Sequence, residues 1–162
     1  MKFTNWKNPS IRQLLREYKI EHEMKGNKFW KDKRDFVNSV KQAKVESITP
    51  EGDSAIGYRS RTKDKKQLLG LIKGYRSYPK FRNEDTLNSI YQGYAKNNPM
   101  DRPIVVESGG RRRVFSGNTR MDAAYHSGVN PEVLVVKASQ LSARLRLREL
   151  AAASLRLIGF LR

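Results

Sequence analysis

The sequence predicts a small α+β domain, and three observations carry that prediction. Pro103-Ile104-Val105-Val106-Glu107, Ser108-Gly109-Gly110 and Arg111 to Phe115 read as a strand, a hairpin turn and a returning strand. Ser116-Gly117 then leads straight into a short helix, Thr119 to His126, which Gly128 terminates as a C-cap residue. After the turn at Asn130-Pro131, Val133-Leu134-Val135-Val136 is an apolar run of strand length. At 162 residues the chain fits one ordinary core with appended helices, and a hydrophobic content of 38% is enough to build it, which argues against wholesale disorder.

The elements before the hairpin follow in order. Pro9 and Ser10 open a helix whose apolar face is expected to be Ile11, Leu14, Leu15, Tyr18 and His22, and Gly26-Asn27 stops it. A second helix is predicted from Phe29 to about Lys44, with Phe29, Trp30, Phe36, Val37 and Val40 inward. Lys28, Lys31, Lys33, Arg34, Lys41 and Lys44 form its solvated basic face. Pro50, Gly52, Asp53, Ser54 and Gly57 mark a loop or boundary. The division expected from this is a basic helical region over 1–58, the α+β domain over 59–137, and a C-terminal segment over 138–162. Lys65 to Gly74 is a short helix or strand, which periodicity does not decide. Asn83 to Tyr94 reads as a helix with Leu87, Ile90, Tyr91 and Tyr94 on one face. Beyond Ala138, arginine replaces lysine entirely. That stretch reads as an Arg/Leu/Ala helix from Leu141 to about Leu157 or as a non-native tail, and it carries no functional argument.

Lys and Arg number 33 against 16 Asp and Glu, a net charge of +17, so a polyanionic partner is expected, nucleic acid and most of all DNA. With no cysteine, disulfide frameworks, thiol nucleophiles, zinc thiolate sites and iron–sulfur clusters are excluded. Two histidines are too few for a histidine-rich metal centre, and Gly26 stands where a zincin helix containing His22 would need its second histidine. No stretch approaches the roughly 18 apolar residues of a membrane span, and Met1 to Ser10 lacks a signal-peptide core, so a cytoplasmic protein, bacterial or phage-encoded, is expected. Between Arg59 and Arg82 nine basic residues face one acidic residue, with Tyr58, Tyr75, Tyr78 and Phe81 interleaved. Arg76, Lys80 and Arg82 of this stretch, with Arg111, Arg112 and Arg113 of the hairpin, are the candidate nucleic-acid contacts. Because a strand alternates its side chains, the three hairpin arginines cannot all face one way, and a charged edge that resists aggregation accounts for them equally well.

The chemistry converges on Ser116-Gly117-Asn118-Thr119-Arg120. Glycine permits an unusual backbone at the turn, the first helical amides lack intrahelical partners, two hydroxyls are close, and Arg120 can fork onto a phosphate. Catalytic carboxylates, if the site turns over, are expected among Glu84, Asp85 and Glu107, the first two of which serve equally as dipole partners of a helix start. His126, one turn after Asp122, reads as a local pair.

Phe115-Ser116-Gly117-Asn118-Thr119-Arg120-Met121-Asp122-Ala123-Ala124, after Pro103-Ile104-Val105-Val106 and before Gly128 and an apolar strand, resembles the second box of the ParB/sulfiredoxin-like superfamily. That box reads Gly-Glu-Arg-Arg-x-x-Ala in ParB proteins and Gly-Cys-His-Arg in sulfiredoxins, so Gly117, Arg120 and Ala123 match. The resemblance covers about residues 75 to 137. It implies a small mixed α/β domain whose turn holds DNA or nucleotide phosphates. A nucleoside triphosphate with Mg is the implied cofactor, and nuclease, nucleotidase or kinase activity the implied chemistry. Asn118 stands where sulfiredoxins have cysteine, which excludes their reaction, and no helix-turn-helix follows, which argues against centromere-type partitioning. The sequence thus leaves an enzyme acting on phosphates and a non-catalytic DNA-binding protein as its two readings.

Overall fold

The computed structural model describes residues 3–25, 29–49, 66, 84–108 and 110–138, with the side chains of 22–25 and 111 set aside. Strands are β1 (Trp6–Lys7), β2 (Lys44–Ser47), β3 (Met100–Asp101), β4 (Ile104–Ser108), β5 (Arg111–Ser116) and β6 (Glu132–Lys137). Helices are α1 (Ile11–Lys25), α2 (Lys33–Lys41), α3 (Glu84–Ala95) and α4 (Asn118–His126). This is the α+β architecture expected, with the hairpin, the Gly117 turn and the helix after it in place.

Four strands form the main sheet in the order β2-β6-β4-β5. The β4–β5 hairpin is antiparallel with a register shift between Ile104 and Val105, and β6 returns parallel to β4 after the α4 crossover. Both faces of this sheet are covered, which is why Ile104-Val105-Val106 and Val133 to Val136 are continuous apolar runs rather than alternating ones. One face presents Ile104, Val106, Phe115, Leu134 and Val136 to Leu14 of α1, to Phe36, Val37 and Val40 of α2, and to Trp30. The other sets Val105, Val133 and Val135 against Met121 of α4 and Ile48.

Two expectations for the first third are corrected. The second helix begins only at Lys33, because Asp32 in extended backbone (φ −157°) caps it by accepting from the amides of Arg34 and Asp35 at 2.8 and 2.9 Å. It ends at Lys41, because Lys44–Ser47 pairs with β6 instead of continuing the helix. α1, α2 and β2, all before residue 58, supply one cover and one strand of the main sheet.

The first residues reach the far side of the molecule. Trp6 and Lys7 pair in parallel with Met100 and Asp101, and Phe3, Trp6 and Tyr94 meet edge to face at centroid distances of 4.9 to 5.8 Å. Leu87, Ala123 and Ala124 complete that cluster, which joins α3 to α4. Among the described residues no helix is long and apolar enough to cross a membrane.

Candidate functional site

Gly117 holds the turn between β5 and α4 with φ 93° and ψ 19°, in the left-handed region. A side chain here would be strained by the backbone and would also collide. A Cβ would lie 2.8 Å from Pro103 Cβ, 2.9 Å from Pro103 Cα and 3.0 Å from Arg120 Nη2. No side chain caps α4, so its first amides depend on other partners. Ser116 and Thr119 are buried at this turn, and Asn118 is half-buried.

Arg120 folds back over the turn, and two carboxylates receive it. Its Nη2 donates to Glu17 Oε1 at 3.0 Å, and its Nη1 lies 4.0 Å from Asp101 Oδ2; the Arg120 and Glu17 side chains are only 14% and 7% exposed. Gln13 Nε2 donates to the same Glu17 oxygen at 3.1 Å, whereas Glu17 Oε2 is buried with no hydrogen-bond partner among the described residues. An unmet buried acceptor of this kind costs about 1–3 kcal/mol. Tyr94 donates its hydroxyl to the Arg120 carbonyl at 2.8 Å, and Lys7 reaches Asp101 at 3.6 Å.

Four elements and one turn therefore build the site: α1 brings Glu17, β3 Asp101, α3 Tyr94 and α4 Arg120, around Gly117 in the turn before α4. Glu17 and Asp101 escaped the sequence reading. The usable signal is the i, i+4 row of Gln13, Glu17 and Glu21, which shares a helix face with Leu14. The structure buries Leu14, Glu17 and Glu21 and leaves Ile11 and Leu15 53% and 38% exposed, so the apolar face expected for α1 is only half right. Helical spacing alone ranks Ile11 with Leu14, whereas an arginine distant in sequence draws Glu17 inward.

The three carboxylates put forward as catalytic are not gathered at this turn. Glu84 and Asp85 are exposed at the start of α3, about 15 Å of helix from Tyr94. Glu107 lies toward the other end of the hairpin ladder, paired with Arg112 rather than near Ser116. Arg112 in turn bridges Glu107 at 3.0 Å and Glu46 at 2.7 Å, reaching from one edge strand of the sheet to the other. Its hydrogen bonds to Glu46 raise its pKa above the ordinary guanidinium value, against an opposing effect of burial and with Glu107 adding to the rise. Of the hairpin arginines Arg113 is exposed. Arg76, Lys80 and Arg82 lie outside the described residues, as do most of the basic stretch from Arg59 and the C-terminal segment.

His126 and Asp122 lie one turn apart on α4. The His126 ring meets Tyr91 edge to face at 5.1 Å, and Asp122 is buried. Burial, with the Asp122 charge adding, pushes the Tyr91 hydroxyl up to about 12. Among the described residues no group of three or more His, Asp or Glu is arranged to hold a metal ion.

Comparison of the chain with protein-family models, curated proteins and solved structures finds no match.

Proposed function

We propose that the protein binds nucleic acid, DNA first of all, by setting the cations of its helical layer against backbone phosphates. The observation that carries this reading is a net charge of +17 on a chain whose α1–α2 layer exposes Arg12, Arg16, Lys19, Lys31, Lys33, Arg34 and Lys41. Lys31, Lys33 and Arg34 flank the start of α2, where the helix dipole adds positive potential. Arg113 extends the same chemistry to the hairpin. The test is the affinity for a duplex oligodeoxynucleotide as salt is raised. Each neutralised phosphate contributes about −0.9 to the log–log slope, and an affinity that stays flat from low to moderate salt removes the proposal.

A second reading has a specific observation behind it: the left-handed Gly117 and the uncapped start of α4 supply a backbone suited to a phosphate, as the resemblance to ParB/sulfiredoxin-like proteins implies. In its closed form the turn does not fit a nucleoside triphosphate with Mg, because Arg120 is already held between Glu17 and Asp101. A thermal-shift panel of nucleotides with and without Mg discriminates this reading from simple attachment to DNA.

A further inference from the structure

The misfit at Arg120 has a definite shape. Glu17 occupies the guanidinium with one oxygen and keeps the other buried without a hydrogen-bond partner among the described residues. A carboxylate so placed holds an arginine where a phosphate oxygen would be held, but less completely than a bidentate ligand would. Among the described side chains of α1, Leu14 is the buried apolar one, with Tyr18 and Ile20 half-buried. Ile11 and Leu15 face outward and two glutamates face inward. Among the described residues, the Glu17–Arg120 pair is a polar tie between α1 and the turn.

We propose that α1 is a carboxylate strap: Glu17 closes the Gly117 turn by taking Arg120, and a phosphate group opens the site by displacing it. The proposal rests on the second reading above, that the turn accepts phosphate. Glu17 and the phosphate compete for one guanidinium, so linkage requires that each weaken the other. Removing the Glu17 charge strengthens phosphate binding, and phosphate binding loosens α1. Asp101, held by Lys7 and by the β1–β3 pairing, stays with the fold and keeps Arg120 oriented once Glu17 has left.

The experiment titrates the full chain with inorganic pyrophosphate, with ATP and with a short duplex oligodeoxynucleotide, and follows amide exchange over residues 11–21. In Glu17→Gln the amide still accepts from Arg120 but carries no charge. Pyrophosphate is expected to bind this variant at least about fivefold tighter than wild type, at the low end of typical coupling between sites. Saturating pyrophosphate is expected to speed exchange in α1 of the wild type. Gln13→Met, which removes only the amide donor that steadies Glu17, should shift affinity the same way by less, and it carries the test if Glu17→Gln fails to fold. A double variant, Glu17→Gln with Arg120→Gln, should lose the gain. If it keeps the gain, the effect is general electrostatics and the strap is overturned. Equal or weaker binding of all three probes by Glu17→Gln, with wild type binding normally, overturns the strap and leaves the phosphate site standing. No binding of any probe by any variant removes the site and the strap together. A gain confined to ATP assigns the phosphate to a nucleotide, and one confined to the oligodeoxynucleotide assigns it to a DNA backbone.

Discussion

Arg120 has structural duties that a surface arginine lacks. Its guanidinium lies over Gly117, neutralises a buried glutamate and approaches Asp101, so truncating it leaves Glu17 charged and enclosed. Arg120→Ala is therefore expected to cost about 3 kcal/mol in chemical denaturation, the low end for breaking a buried pair. The sequence alone suggests otherwise, since an arginine in the first turn of a helix after a glycine looks dispensable for stability. Pairing Arg120→Ala with Glu17→Gln in a double-mutant cycle should recover part of that cost, with a coupling of about 1 to 3 kcal/mol. Additive losses would mean that the two side chains touch without depending on one another. Gly117 was legible because the need for a positive φ is a property of one residue. Glu17 was not, because its partner is 103 positions away and nothing local marks an inward glutamate.

At the scale of elements, the hairpin, α3, α4 and β6 were legible because each is bounded by local chemistry: Gly-Gly, Pro, and the glycines at 117 and 128. The end of α2 was not, since Lys44-Val45-Glu46-Ser47 becomes a strand only because β6 offers it an edge. Its beginning turns on Asp32, whose carboxylate is held below its ordinary value of 3.8 chiefly by the Asp35 amide, then by the Arg34 amide and by the charges of Arg34 and Lys31. A depressed folded-state pKa stabilises the fold above the ordinary carboxylate value, and the contribution is lost as pH falls through the folded value. Thermal melts from about pH 5 down to about pH 2 should thus show a decline below 3.8 that is shallower in Asp32→Asn, which keeps an acceptor oxygen but no charge. Parallel declines in the two proteins would place the acid sensitivity elsewhere.

At the scale of the molecule, the described residues show one group of acids held in ion pairs between elements. Glu17, Asp101, Glu46, Glu107 and Glu132 are engaged by Arg120, Arg112, Arg102 and Lys7, where they tie strands and helices together. Among the described residues, exposed cations outside these pairs lie on the outer faces of α1 and α2, and at Arg113, Lys44, Lys96 and Lys137. Composition shows the surplus but cannot show which arginines are internal, and Arg112 and Arg113, adjacent in sequence, fall on opposite sides of that division. They differ accordingly in what their loss should do. Neutralising Lys33 and Arg34 together is expected to reduce the salt slope of DNA affinity by up to about 1.8, about 0.9 for each phosphate left without its cation, with little change in stability. Arg112→Gln is expected to leave the slope unchanged and to lower the unfolding midpoint, because Glu46 and Glu107 lose their shared cation. An unchanged slope after the α2 substitutions, or a reduced slope after Arg112→Gln, would move the DNA-contacting face from the helical layer to the hairpin side of the sheet.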